Sequence, residues 1–339
     1  MNPVLIEVTR GDIVESQHRG AFCVVDTQRN VVACQGDINT PVFPRSSIKA
    51  IQALPMMESG AADTYGFSDE EIALACSSHN GEVVHVGVAQ AMLNKLGLSK
   101  DLLQCGSHWP MSEEAGRHLA MEGEAPCSLH NNCSGKHSGF LAYLKKEKIM
   151  PTGYGQPDHM LQKKIRDALE DVCEIDLSSA PIGIDGCDIP TWAIPLKNLA
   201  LGFAKYSQPD LFFAPERTKA IRRITQSVFA HPYMVAGKNR YDTRLMEAFP
   251  RRIFSKVGAE GVFCAFIPER GLGIAVKCDD GSLRGAEIML SIVLEDLGIF
   301  TKEDFDKAGV LDLLISPSKI ATVFMSATSA APRHKALIY

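Results

Sequence analysis

The sequence predicts an α/β fold: an antiparallel sheet assembled from both ends of the chain, with a mostly helical region between them. Two stretches carry this expectation. Residues 20–34, GAFCVVDTQRNVVAC, are two β-rich runs around a polar Gln28-Arg29-Asn30 turn, which is the pattern of a hairpin. Residues 261–278, GVFCAFIPERGLGIAVKC, repeat that pattern around Pro268-Glu269-Arg270-Gly271 near the other end. Between the hairpins the apolar period becomes helical. The expected division is residues 1–50 and 250–339 for the sheet-containing region and 51–249 for the helical region. No linker, internal repeat or low-complexity tract marks a sharp boundary.

Taken in order, the polar Arg45-Ser46-Ser47 start precedes Ile48, Ile51, Leu54 and Met57 at helical spacing, and Pro55 should kink or shorten that helix. Segments 85–97, 138–147, 158–173 and 214–229 are further helices, the last with a basic, solvated face. A helix from Leu283 to Leu297 follows the second hairpin.

Composition narrows the function classes. The chain has 339 residues, 45% hydrophobic and 22% charged, ordinary for a globular protein with one large or two moderate domains. A net charge of -5 without a basic stripe argues against nucleic acid or an anionic membrane as the main partner. Small molecules become the expected ligands. Arg10 comes only after Glu7, so the start lacks the pattern of a secretory signal, and no apolar run approaches the ~20 residues that span a bilayer. The ten cysteines lack the dense spacing of a disulfide scaffold, which points to a reducing, cytoplasmic setting.

Residues 131–139, NNCSGKHSG, resemble the end of a phosphate-binding loop, but His130 stands where a glycine is required and His137 follows Lys136 in place of Ser or Thr. Cys133, Lys136 and His137 could instead donate to a metal or an anion, with glycines letting the backbone approach closely. Imidazole is the more usual donor, so His137 competes with Lys136. A zinc deaminase is excluded because its His-x-Glu and Cys-x-x-Cys pattern is missing.

Ser46-Ser47-Ile48-Lys49 is a Ser-x-x-Lys motif. On one helical turn the lysine amine can reach the serine hydroxyl, which needs such a base to become a nucleophile. Alone the motif is weak, since about one chance match is expected in a chain of this length. Indeed Ser316-Pro317-Ser318-Lys319 is a second match, a decoy broken by its proline. Two further segments support the first: Ser78-His79-Asn80, after the apolar run Ile72 to Ala75, and Lys256-Val257-Gly258, just before a strand. Ser-x-x-Lys, Ser-x-Asn and Lys-x-Gly in this order occur in penicillin-binding proteins and serine β-lactamases.

With GIDGCDIPTWAIP at 183–195 added to SSIKA, SSHNGE, NNCSGKHSG and KVGAEG, the whole chain resembles the rhizobial-type, or class 3, L-asparaginases of the asparaginase II family. The resemblance implies a serine β-lactamase-like fold with two Ser-Lys pairs, here Ser46 with Lys49 and Ser78 with Lys256. It also implies a zinc held by Cys133, Lys136 and Cys187, and a homodimer. Lys277, on the next strand, is the alternative to Lys256.

The expected chemistry is hydrolysis of the side-chain amide of L-asparagine through an acyl-enzyme on Ser46. Asp185 is expected to pair with the substrate ammonium and Arg45 with its α-carboxylate, with His79 and Asn80 lining the substrate site. Zinc is expected to organise the pocket, not to carry the hydrolysis. A serine-dependent glutaminase or another amidohydrolase of the same fold, acting on β-lactams or peptide bonds, and a non-enzymatic, zinc-stabilised amino-acid sensor are the alternatives. One methylene is worth only about 1–3 kcal/mol, too little to settle asparagine against glutamine from sequence.

Overall fold

The computed structural model describes residues 1–10, 12–310, 320–325 and 332–338. The chain divides into two compact units: Met1–Ser47 with Ile194–Gln208 and Arg244–Tyr339, and Ile48–Ala193 with Pro209–Thr243. The fold is α/β, built on an antiparallel sheet.

The first unit holds the sheet: β1 (Val4–Arg10), β2 (Ile13–Asp26), β3 (Val31–Gln35), β4 (Phe254–Gly258), β5 (Val262–Ile267) and β6 (Leu272–Cys278). Its order is β1-β2-β6-β5-β4, with β3 also pairing β2. Both expected hairpins form: β2 meets β3 through Cys23 opposite Cys34, and β5 meets β6 through Cys264 opposite Ala275. The two ends join where β2 pairs β6, Cys23 opposite Ala275. Lys256-Val257-Gly258, expected just before a strand, lies inside β4, at the sheet edge. Every residue of β4 is buried, so no alternation marks it in the sequence.

Helix Leu196–Ser207, not anticipated from the sequence, covers one sheet face, where Phe203 stacks on Phe254 with ring centroids 6.4 Å apart. Gly273 makes this possible, because a Cβ there would lie 2.0 Å from the Ala200 carbonyl oxygen. Helix Leu283–Asp296 packs near Gly20, through Met289. Strands Ile320–Met325 and Pro332–Ile338 form an antiparallel pair. The decoy motif at 316–319 lies outside the described residues.

The second unit is mainly helical. The helix expected after Arg45-Ser46-Ser47 is broken into a 3-10 turn Arg45–Ile48 and short helices Lys49–Gln52, Leu54–Glu58 and Ala61–Thr64, with Pro55 in the first turn of the third segment. Helix Asp69–Ala75 opens with a capping box from Ser68 and Glu71. Among the described residues no helix is long and apolar enough to cross a membrane.

Candidate active site

Lys49 begins its short helix with only 1% of its surface exposed. A buried lysine must find partners for its Nζ inside the protein. Lys49 Nζ donates to the Ser77 carbonyl, to Ser78 Oγ at 3.0 Å and to Cys133 Sγ at 3.1 Å. Ser78 follows the end of helix Asp69–Ala75 and is fixed by its own N–H, which donates to Val235 O at 2.9 Å.

NNCSGKHSG opens helix Ser134–Lys146, and its glycines serve packing, not phosphate binding. A Cβ on Gly135 would lie 2.3 Å from Leu74 O, and one on Gly139 would lie 3.1 Å from Met56 Sδ. Only glycine lets this helix start so close to the chain that leads into Ser77 and Ser78. Lys136, 1% exposed, lies 3.1 Å from Cys187 Sγ. Cys187 comes from the 185–188 turn between strands Ile182–Ile184 and Pro190–Trp192, where Asp188 takes the left-handed conformation at φ 59°.

The two thiols titrate against each other. The hydrogen bond from Cys187 holds the Cys133 thiol well below its ordinary range; burial opposes this, and Lys49 and Lys136 assist it. Cys187 is pushed the other way and keeps its proton. For Lys136 burial disfavours charge, but Cys187, Cys133 and Asp185 outweigh it and raise the pKa. The result is a buried thiolate near the Lys136 ammonium, with Lys49 Nζ 3.1 Å from the same sulfur.

The neighbouring residues sort differently from their sequence expectations. His79, expected at the substrate, has no exposed surface. Its Nδ1 accepts the Gly81 N–H at 3.0 Å, so Nε2 carries the proton and donates to Ser134 Oγ at 2.9 Å. Burial drives its pKa well below the ordinary imidazole range. Both nitrogens being used, His79 ties the Ser78 segment to the start of helix Ser134–Lys146 and is not available to a ligand. Asn80 is also engaged, donating from Nδ2 to Lys238 O and accepting on Oδ1 from Arg240, each at 3.1 Å. His137 packs its ring beside Phe140 and Tyr154, with Nδ1 2.7 Å from the Tyr154 hydroxyl; it is Lys136 that reaches Cys187. Asp185 acts on Lys136 electrostatically.

In the sheet unit, Arg45 and Ser46 are half-buried, and Arg45 has a left-handed φ of 54°. Such strain in a non-glycine residue persists only where the surroundings hold it. They do so here through the glycine of Lys-x-Gly: a Cβ on Gly258 would lie 2.5 Å from Pro44 O and 3.3 Å from Ser47 N. Lys256, two residues earlier on β4, therefore projects from the same face as Gly258, and it is fully buried. Its Nζ donates to Val257 O at 2.9 Å. The alternative, Lys277, is only half-buried and gives its ammonium to Glu260 O and Cys278 O.

The L-asparaginase II family model matches residues 6–316. The chain belongs to that family. Membership makes it a hydrolase acting on amides, with an amino-acid substrate. A comparison with curated proteins found no match. Among solved structures, the chain is similar to a D-alanine carboxypeptidase from Burkholderia cenocepacia, at 12% identity and a TM-score of 0.42, covering 83% of this chain and 93% of that one. A putative β-lactamase from Bacteroides dorei is similar at 12% identity and a TM-score of 0.43, over 83% and 93%.

This L-asparaginase II family member carries a second sulfur-containing cluster that sequence reasoning did not single out: His18, Cys278 and Asp280, in the sheet unit. His18 Nδ1 is 2.7 Å from Asp280 Oδ2, and Cys278 Sγ is 3.0 Å from Asp280 Oδ1. Arg284 donates to His18 Nε2 at 3.1 Å, which leaves the proton on Nδ1, the nitrogen a metal would need. Arg240 was missed as well, because its interest lies in its partners, which the sequence does not display.

Proposed function

We propose that the protein hydrolyses the side-chain amide of L-asparagine to L-aspartate and ammonia through a Ser-Lys acyl-enzyme. The observation that carries this reading is the buried Lys49 amine, 3.0 Å from the Ser78 hydroxyl and three residues after Ser46. Ser46, half-buried where Ser78 is 5% exposed, is the hydroxyl more open to a substrate. In this mechanism Lys49 acts as the neutral amine: the Ser46 oxygen attacks the amide carbon and its proton passes to Lys49 Nζ. The amide nitrogen takes a proton through Ser78 and leaves as ammonia, and water then cleaves the β-aspartyl ester. Lys256 is the lysine of the second pair, with Ser78, and its charge favours the neutral form of Lys49. Asp185 and Arg45 take the substrate ammonium and carboxylate.

Cys133, Lys136 and Cys187 suit a thiophilic ion such as zinc, since they bring two sulfurs and a nitrogen into one buried cluster. Bound there, zinc would supply a fixed positive charge that organises the pocket. Lys136 must release a proton to offer a lone pair, so uptake of the ion is coupled to proton release.

The test is ammonia release from L-asparagine and L-glutamine by the zinc-loaded protein. Turnover of asparagine with poor turnover of glutamine is expected. Faster glutamine turnover moves the assignment to a glutaminase. Binding of asparagine without ammonia release replaces the enzyme reading with an amino-acid sensor.

A further inference from the structure

We infer that Arg240 binds the α-carboxylate of the substrate, an inference that rests on the asparaginase reading above. Ser78 N–H donates to Val235 O at 2.9 Å, so the segments 78–80 and 235–240 run side by side. Asn80 then bridges them, with Nδ2 donating to Lys238 O and Oδ1 accepting from Arg240, each at 3.1 Å. Gly237 permits this closeness: its φ is 110°, and a Cβ there would lie 2.9 Å from Asn80 Nδ2. The Arg240 guanidinium is thereby anchored two residues along from Ser78, whose hydroxyl receives Lys49.

Charge pairing sets Arg240 apart. Every other arginine of its unit has a carboxylate partner: Arg117 with Glu113, Arg166 with Glu170, Arg217 with Glu58 and Asp171, Arg222 with Asp210, and Arg223 with Asp69. Among the described residues no carboxylate pairs with Arg240, and its hydrogen bond goes to a neutral amide. Neighbouring Lys238 is exposed and already meets Glu114. A guanidinium has five N–H donors in a rigid fork matched to a carboxylate, and a half-buried one held by a single neutral acceptor keeps most of them for an anion. In L-asparagine only three bonds separate the amide carbon from the α-carboxylate carbon. The assignment lays the substrate along the segment from Ser78, which receives Lys49, to Asn80, which holds Arg240. A carboxylate accepts from two guanidinium groups, so this role does not displace Arg45.

The inference is tested with the zinc-loaded wild type, Arg240→Ala and Arg240→Lys on two substrates. These are L-asparagine and β-alaninamide, which has the same amide and ammonium but no carboxylate. R240A should lower kcat/KM for asparagine about 30- to 100-fold, chiefly through KM, as expected for loss of a charged hydrogen-bonded pair. R240K should fall between, and β-alaninamide turnover should change less than about twofold. Equal losses on both substrates, or an unchanged asparagine KM, would overturn the assignment. If wild-type turnover of β-alaninamide is below detection, the asparagine data decide: a KM rise supports the role, and a fall in kcat alone refutes it. If the wild type releases no ammonia from asparagine, the hydrolytic reading has failed. Calorimetric binding of L-asparagine to wild type and R240A then tests Arg240 separately, with about 30-fold weaker binding to R240A expected and equal binding contradicting it.

Discussion

Two clusters in this molecule gather cysteine sulfur, nitrogen and a carboxylate, and they differ in what is left over once internal pairing is complete. Around Asp280 everything cancels: Arg284 donates to His18, His18 donates to Asp280, and Cys278 donates to the same carboxylate. Burial pushes the Cys278 thiol up to about 12. For Asp280 burial is outweighed by bonds from Cys278, Ser282 and His18, which hold its carboxyl at about 2. Around Cys133 what is left over is reactive sulfur: a thiolate and a thiol share one proton, with Lys49 and Lys136 acting on them and Asp185 on Lys136. The same residue types therefore make an inert clasp in one place and a cluster ready for chemistry in the other. The state of the sulfur decides which, a thiol beside Asp280 and a thiolate at Cys133.

The sharpest way to break this comparison is to remove one sulfur from each cluster. Cys187→Ser should take bound zinc from near one per chain to near none and raise KM for asparagine at least tenfold, whereas Cys278→Ser should leave both unchanged, as measured by atomic absorption and steady-state kinetics. Metal retained in Cys187→Ser but lost in His137→Ala would move the ligand role to His137.

A smaller effect is expected from the glycine that seats the Ser46 turn. Gly258→Ala places a Cβ 2.5 Å from Pro44 O, so it should cost about 1–3 kcal/mol in denaturant unfolding. A neutral result would remove the packing reason for Lys-x-Gly.

The smallest effect concerns His79, which is neutral in the fold because burial, with nearby His85 and Lys49, keeps the proton off. Its unfolded pKa is near 6.5. A lowered folded pKa means that its contribution is intact above about 6.5 and is lost as pH falls below that value. His79→Gln keeps a donor for Ser134 and should flatten the acid side of the stability curve below about pH 6.5, seen as a smaller drop in Tm. An unchanged slope would show that His79 does not set it.

Much of this was legible in the sequence because it rests on local pattern. The hairpins at 20–34 and 261–278 announce themselves through β-formers around polar turns, and Pro55 marks the break in the helix. β1 does not, since Leu5 and Ile6 are adjacent and both buried, which spoils a period of two. Helix Leu196–Ser207 carried a signal, with Leu196, Leu199 and Phe203 at helical spacing, that went unread behind Pro195. The proposed metal ligands Cys133, Lys136 and Cys187 rest on the family resemblance; spacing alone leaves Lys136 and His137 open. His79 looks like a substrate residue because sequence records polarity and not satisfaction, and the structure shows both its ring nitrogens bonded; Asn80 makes one bond with each polar atom to the 238–240 segment. Arg240 escaped for the converse reason: a cation with no carboxylate partner among the described residues is visible only once the fold has placed its neighbours.

The central claim is that amide hydrolysis passes through an ester on Ser46. Its most direct test is to quench the reaction with L-asparagine in acid within the first turnover and map the digested protein by mass. An aspartyl group on the peptide containing Ser46, absent from Ser46→Ala, is the predicted result. An aspartyl group on the Ser78 peptide, or active protein that never carries one, would contradict it.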